Sequence, residues 1–132
     1  MLSMRQDESI LRVVLEALLD GVAAVDPQGR ALFVNNAMAR LLSLKDAQSL
    51  PELTLREMFA RLEAYTDDGA ALPFDQRPLV RALRGESVID VALTIKQPLQ
   101  SRSFEVINSA FPIFAADGSV RMAVIRMRDV TE

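Results

Sequence analysis

The hydrophobic residues of this chain change from a helical spacing near its start to a strand-like spacing near its end. Between Ile10 and Leu19, apolar residues recur three and four positions apart, with Arg12 and Glu16 on the other side. After residue 88, apolar residues alternate with polar ones or form continuous runs, which is typical of β-strands. The pattern predicts an α+β domain with short helices in its middle.

Residues 1–20 are predicted to form an amphipathic helix that mediates dimerisation. Ser3 and Gln6 have the spacing of a capping box, and Asp20-Gly21 gives a helix end. The apolar stripe is expected to pack partly on its own domain and partly on a second copy of the chain. The sequence leaves open whether this helix is exchanged between subunits. The expected dimer contacts are Leu11, Val14, Leu15 and Leu18.

A hairpin is predicted next, because the apolar runs 21–26 and 31–35 flank the turn sequence Asp26-Pro27-Gln28-Gly29-Arg30. Asn35 follows the second run and is placed to cap a short helix, since its side chain accepts a hydrogen bond from a free amide. A ligand contact is the less favoured role for Asn35. Met38, Leu41 and Leu42 are expected to face inward from this helix.

Two more short helices are predicted before residue 86. Thr54 and Glu57 form a second capping box. Asp75 is expected to cap the next helix, where Pro78 is tolerated in the first turn, and Gly85 is expected to end it. The apolar inner faces of the two helices are Leu55, Met58, Phe59 and Leu62, and then Leu79, Val80 and Leu83.

The last part of the chain predicts three antiparallel strands. Ile89, Val91, Leu93 and Ile95 alternate with more polar residues, so one face of the first strand is expected to be buried. The strands 104–113 and 120–127 are apolar in both registers, which indicates that both faces are covered. Together with the two strands of the hairpin, these three strands predict a five-stranded antiparallel sheet that has the short helices on one face. The amino-terminal helix, or that of a partner, is expected on the other face.

Composition excludes much chemistry. The chain has 132 residues, no Cys and no His, and a formal net charge of −3. Histidine-ligated haem, thiolate or imidazole zinc, cysteine or serine–histidine nucleophiles and a flavin–cysteine adduct are therefore excluded, and no cofactor is predicted. Asp67 and Asp68 are read as a turn with Gly69 rather than a cation site. The glutamates show no spacing that suggests an acid–base pair, so no enzymatic activity is predicted.

Charge and hydropathy patterns bear on partners and location. The 13 Arg among the 15 basic residues are scattered, so no nucleic-acid surface is predicted. No apolar run approaches the roughly 18 residues that a membrane span needs, so no membrane insertion is predicted. The absence of Cys favours a cytoplasmic location. The terminal Asp129-Val130-Thr131-Glu132 follows a strand directly, and we expect further chain after it.

Several short motifs along the chain form an ordered set that can be compared with known families. They are Asp20-Gly21-Val22, Val25-Asp26 with Gly29, Phe33-Val34-Asn35-Asn36-Ala37 with Leu41-Leu42, Pro78-Leu79, Arg81-Ala82-Leu83 with Gly85-Glu86, Pro112 with Asp117-Gly118, and Arg128-Asp129-Val130-Thr131-Glu132. Together they resemble the PAS domain family of sensory modules over nearly the whole chain. Ser43 departs from the glycine that many members have after the paired leucines.

The resemblance implies a PAS core over residues 21–132, with a five-stranded sheet cupped around a small cavity. It implies a non-catalytic role in a larger bacterial signalling protein, often a histidine kinase of a two-component system. In that family the Asp and Thr of the exit motif connect the last strand to the output domain, and here these are Asp129 and Thr131. The alternatives are a solvated tail at these residues and, for the domain, a ligand-free dimerisation module.

The cavity that the resemblance implies has candidate lining residues, but a filled core is the alternative for them. Asn108 is either directed into the cavity, where it would bind a carboxylate or carbonyl, or directed to water or the first helix. The nature of any ligand and of the output domain stays open. The candidates are Phe59, Val80, Leu83, Ile107, Asn108, Phe111 and Ile125.

Overall fold

The structure is a computed structural model, and it describes residues 19–42, 54–98 and 101–131. The predicted amino-terminal helix up to Leu18, with the expected dimer contacts Leu11, Val14 and Leu15, lies outside the described residues. So do Ser43 and Glu132.

A six-stranded antiparallel sheet forms the frame of the domain, with the strand order β2-β1-β6-β5-β4-β3. The first and last strands, β1 and β6, are therefore neighbours within the sheet. The strands are β1 (Gly21–Val25), β2 (Ala31–Val34), β3 (Glu63–Tyr65), β4 (Val88–Gln97), β5 (Arg102–Phe114) and β6 (Val120–Asp129).

Between β2 and β4, the described residues form three short α-helices and one 3-10 helix: α1 (Asn36–Leu41), α2 (Leu55–Ala60), the 3-10 helix (Phe74–Gln76) and α3 (Pro78–Leu83). They cover one face of the sheet, because the apolar residues of helices and strands form one continuous core. Met38 of α1, Leu55 of α2, Val106 of β5 and Ile125 of β6 are among its fully buried members. This core fixes the position of the cavity described below.

The predicted α+β class and antiparallel sheet are confirmed, and the structure adds a sixth strand. The helix predicted to continue to Leu62 ends at Ala60, and β3 follows it and pairs with β4 through Ala64 and Ile95. Leu62 still reaches the core, but from the connection between helix and strand. The strand is only three residues long, which is too short for an alternating pattern to reveal it.

The predicted inward position of Ile89 is wrong. Its side chain is 66% exposed, whereas Val88 is buried. The pairing of β4 with β5 shifts register between Val88 and Val91, and Asp90 has a positive φ of 51°. Such a bulge reverses the alternation of inward and outward side chains, so Leu93 and Ile95 regain the predicted buried face only beyond it.

The predicted capping role of Asp75 is also wrong. Asp75 lies inside the 3-10 helix, and Arg77 holds the cap position of α3 without a side-chain capping bond. Pro78 at the start of α3 has no amide hydrogen to be capped, which reduces the need for a capping side chain. By contrast, Thr54 caps α2 as predicted, with its hydroxyl accepting the amide hydrogen of Glu57 at 3.0 Å.

The turn between β1 and β2 is organised by the carboxylate of Asp26. It accepts hydrogen bonds from the backbone amides of Gln28 (3.0 Å) and Arg30 (2.9 Å) and from the Arg30 guanidinium (2.8 Å). Desolvation acts to raise the pKa of Asp26, but the bonds from Arg30 and Gln28 outweigh it and hold this pKa below 3.8. The ionised carboxylate therefore fixes the hairpin that the turn sequence predicted.

Candidate functional site

A small cavity lies between the helices and the core-facing side of the sheet. Phe59 and Val80 line it from the helices, and Leu93, Asn108 and Ile125 line it from the sheet. Its volume is about 20 Å³, which is room for about one water molecule. The cavity is therefore far smaller than the roughly 300 Å³ at which small-molecule sites begin.

Two polar side chains interrupt the apolar lining. Asn108 is 2% exposed, and its Oδ1 atom has no hydrogen-bond partner. Arg77 is half-buried; one guanidinium nitrogen donates to the Phe59 carbonyl at 2.7 Å, while the buried Nε has no partner. Desolvation lowers the pKa of Arg77, and Glu63 acts in the opposite direction.

The structure divides the predicted cavity residues into two groups. Phe59, Val80, Asn108 and Ile125 are brought together around the cavity. Leu83 packs against the same core but does not reach the cavity.

The prediction that Ile107 and Phe111 line the cavity is wrong. They alternate along β5 with Asn108 and Ala110, whose side chains are buried on the helix-covered face. Neighbouring side chains of a strand point to opposite faces, so Ile107 and Phe111 belong to the outer face. Because β5 is apolar in both registers, the sequence does not indicate which register faces the helices.

Arg77 is the charged residue among the cavity residues that the sequence did not predict; the others are Leu62, Ala64, Phe74, Pro78, Leu79, Leu93, Ile95 and Met127. It stands between Gln76 and Pro78, in a connection with no regular hydrophobic period. A charged residue in such a place is usually solvated, and nothing in its spacing indicates burial. Its position becomes apparent only from the fold, which brings the end of α2 beside the start of α3.

The exit segment, which is Val130 and Thr131 directly after β6, is fixed to β5 by backbone and side-chain hydrogen bonds. The amide of Val130 donates to the carbonyl of Glu105 (2.9 Å), and the amide of Glu105 donates to the Thr131 hydroxyl (2.8 Å). The Asp129 carboxylate accepts the amide hydrogen of Thr131 at 2.9 Å. Both members of the predicted exit pair therefore hold the segment in one direction relative to the sheet.

The entry to the sheet is linked to the same end. Asp20, just before β1, forms an ion pair with Arg128 near the end of β6, with a closest distance of 3.3 Å. The hydrogen bond to Asp20 raises the pKa of Arg128. The carbonyl of Asp20 also accepts a hydrogen bond from the buried side chain of Asn35 at 3.0 Å. The residues at which the chain enters and leaves the sheet are thus in direct contact.

Comparisons with known proteins agree with this architecture. A family model described as the PAS fold matches residues 15–132. The PAS domain of nitrogen regulation protein NR(II) from Vibrio parahaemolyticus superposes with a TM-score of 0.63 at 17% identity, covering 92% of this chain and 98% of that chain. A PAS domain from a two-component sensor histidine kinase gives 0.65 at 12% identity, covering 96% and 99%.

A domain of the sensory box sensor histidine kinase/response regulator from Geobacter sulfurreducens gives a TM-score of 0.60 at 22% identity, covering 96% of this chain and 97% of that chain. These identities are low, so the neighbours establish the fold alone. A search of curated proteins gave no significant match.

The chain belongs to the PAS fold family, because the family model covers most of its length. Within residues 19–42, 54–98 and 101–131, no helix has the length and hydropathy needed to cross a membrane. The same residues contain no cluster of three or more side chains suited to hold a metal ion.

Proposed function

We propose that this PAS domain is a non-catalytic sensory module of a larger bacterial signalling protein, such as a cytoplasmic sensor histidine kinase. It passes the packing state of its core to an output domain that follows Thr131. The observation that carries the proposal is the attachment of the exit segment to β5 through Glu105, with bonds in both directions.

The position of Glu105 explains how the core would influence the exit. Its neighbours along β5, Phe104 and Val106, are both buried in the core, at 4% and 1% exposure. A change of packing around these side chains shifts the backbone of Glu105, and with it the bonded Val130 and Thr131. A ligand or partner that binds more tightly to one packing of the core therefore changes the populations of two orientations of the exit segment.

An open groove beside the exit provides space for the following segment. It has a volume of about 540 Å³ and is bordered by Thr94, Ser103, Glu105 and Val130, among others. The superposed domains from sensor histidine kinases support an output of that kind, although they are similar to this chain in fold only.

The coupling proposal predicts that Thr131→Val changes output without unfolding the domain. Valine keeps the shape of threonine but removes the oxygen that accepts the Glu105 amide. One lost hydrogen bond is about 1 kcal/mol, so the balance of two exit states is expected to shift about fivefold. The measurement is the activity of the adjoining output domain in the intact polypeptide, such as autophosphorylation, without added ligand.

Thr66→Val is the matched control for this experiment. The Thr66 hydroxyl bonds within the turn after β3, to Asp68 and to the carbonyl of Ala70. Both bonds stay within this turn, so unchanged output is expected. If the output of Thr131→Val were also the same as that of the parent, the coupling role of the exit segment would be wrong.

A ligand-free dimerisation module is the second candidate function, and the small cavity volume favours it. Two observations support dimerisation in either case: the apolar stripe of residues 10–19, and the outer face of the sheet, where Phe111 and Ile113 are 36% and 42% exposed. We propose a homodimer that uses Leu11, Val14, Leu15 and Leu18.

Sedimentation equilibrium of the chain tests the homodimer. The parent is expected to sediment as a dimer and Leu15→Asp as a monomer, because a carboxylate in an apolar contact is strongly unfavourable. Glu16→Asp, a change on the polar side of the predicted helix, is the control and should leave the mass unchanged. A parent that stays monomeric at high concentration would contradict the proposal.

A further inference from the structure

The hairpin that joins β5 to β6 extends beyond the rest of the sheet. At this end, β4 pairs with β5 only up to Ala110, and β1 pairs with β6 only up to Ala123. Among the described strands, residues 111–122 therefore have no neighbour on either side, and they form a two-stranded arm. A two-stranded ribbon has no core of its own, so the elements beside the arm decide which of its surfaces stay open.

One side of the arm rests on the end of α3 and leaves an aromatic ring exposed. A Cβ at Gly85, just after α3, would lie 3.5 Å from the Phe114 ring and 3.9 Å from a methyl group of Val120. Phe114 is nevertheless 53% exposed, although its ring is a large apolar group. Gly85, Phe114 and Val120 thus form a shallow apolar surface, which we call the arm patch. It lies on the helix side of the arm, away from the outer sheet face of Phe111 and Ile113.

Arginine side chains surround the arm patch. Arg81 and Arg84 share the single carboxylate of Glu86, at 3.5 and 3.4 Å. Arg121, next to Val120, is exposed and forms no ion pair with any residue that the structure describes. The patch therefore carries an excess of positive charge, although the whole chain has a formal net charge of −3. Such an excess attracts a partner of negative charge.

We propose that the arm patch is a docking site for an acidic amphipathic helix of a partner protein. Apolar side chains of that helix cover Phe114 and Val120, and its carboxylates pair with Arg84 and Arg121. An aromatic anchor beside arginines is the composition typical of the residues that dominate binding at protein interfaces. A helix with one apolar and one acidic face satisfies both parts of the patch at once.

A helix fits the arm better than an added strand does. The amide and the carbonyl of Glu105 both face the exit segment that continues β6, and these directions alternate along a strand. Pro112 therefore faces away from β6, towards the open edge of the arm. Proline has no amide hydrogen, so a strand that paired with this edge would lack a donor there. The arm is thus protected against strand addition and binds through its side chains.

The charges disfavour two other occupants. In a two-fold contact, a second copy would place its own Arg84 and Arg121 against those of the first. An anionic membrane would meet Asp117 in the turn at the tip of the arm. Bonds from the Ser119 hydroxyl and amide hold the pKa of the Asp117 carboxyl below 3.8 and keep it charged. A helix that lies across Phe114 need not approach this tip.

The arm patch lies far from the exit segment. Phe114 is at one end of β5 and Glu105 is near the other, which is about 30 Å along the strand. A partner on the arm patch and an output domain after Thr131 can therefore be bound at the same time. Docking at the arm does not require that the exit segment couples to an output domain.

Amide NMR spectra of the labelled chain, titrated with a short synthetic peptide of Glu-Glu-Leu-Leu repeats, test the inference. We expect shifts at Gly85, Phe114, Val120 and Arg121. A peptide of Lys-Lys-Leu-Leu repeats has the same length and apolar residues but the opposite charge. It should bind about tenfold more weakly, because it brings like charges together.

Variants assign the two parts of the patch. Phe114→Ala should weaken binding of the Glu-Glu-Leu-Leu peptide about tenfold, because it removes the aromatic anchor. Leu32→Ala is the matched control and should bind like the parent, since Leu32 is 52% exposed but lies on the edge strand β2. The double variant Arg84→Glu with Arg121→Glu should bind the Lys-Lys-Leu-Leu peptide more tightly than the acidic one. Loss of folding does not produce such a reversal.

The inference is overturned if the acidic peptide causes no shifts at the arm patch, if the basic peptide binds equally well, or if Phe114→Ala binds as the parent does. It is also overturned if shifts at Phe114 depend on chain concentration without peptide, which would indicate a contact between copies. Binding to phosphatidylglycerol vesicles but to neither peptide would overturn it in favour of a membrane contact. The Thr131→Val experiment uses no peptide, so failures of docking and of coupling are distinguishable.

Discussion

Replacing Asn35 with alanine is expected to destabilise the domain by about 3 to 5 kcal/mol, which is more than most single substitutions cost. Asn35 is fully buried, and its Oδ1 accepts the amide hydrogens of Val22 (3.0 Å) and Met38 (2.9 Å). Its side-chain amide donates to the carbonyl of Asp20. Alanine leaves these backbone groups buried without partners, each at about 1 to 3 kcal/mol.

Urea denaturation measures this loss, and Thr54→Ala is the matched control. Thr54 also caps a helix, but at an exposed position where its hydroxyl serves one backbone amide and water replaces it readily. That substitution should reduce the free energy of unfolding by about 1 kcal/mol. Equal losses for the two variants would show that Asn35 acts as a helix cap alone and not as a connection between β1 and α1.

Gly29→Ala is the second large expected effect, with a loss of about 2 to 4 kcal/mol. Gly29 has a φ of +84°, where a side chain is strained, and a Cβ at this position would lie 2.4 Å from the Cβ of Arg56. The close approach is needed because the carbonyl of Gly29 accepts the amide hydrogen of Arg56 at 3.1 Å. Alanine therefore forces the first turn apart from α2.

Gly69→Ala separates the two causes of this loss, and urea denaturation again gives the measurement. Gly69 has the same φ of +84°, but nothing lies within 4 Å of the position that its Cβ would take. It should lose only the about 1 to 2 kcal/mol that the backbone strain costs. If Gly29→Ala lost no more than Gly69→Ala, the contact with α2 would have no energetic importance.

The features that sequence predicts correctly are those that depend on neighbouring residues. Asn35 is recognisable as a helix cap because a cap acts within three positions, and the structure confirms this role. Its second role is not predictable, since the bond to Val22 spans 13 positions along the chain. The turn at Asp26 and the cap at Thr54 are predictable for the same local reason.

Features that depend on pairing between distant strands escape such reasoning. The bulge at Asp90 is stabilised by the Ser109 hydroxyl, which accepts the Asp90 amide hydrogen at 2.9 Å. No residue pattern within β4 itself predicts this bulge. For this reason the predicted position of Ile89 is wrong.

Side chains of the candidate site divide in the same way. Phe59 and Val80 are predictable because their helices have clear inner faces. Arg77 is not, because only the assembled fold desolvates it.

The pairing of Gly21 with Met127 places the start of β1 and the end of β6 at the same edge of the domain. Asp20, where the described chain enters the sheet, and Arg128, near where it leaves, are consequently side by side and joined by an ion pair. A rearrangement inside the domain would therefore change mainly the angle between the chain segments at these two residues, and hardly the distance between them.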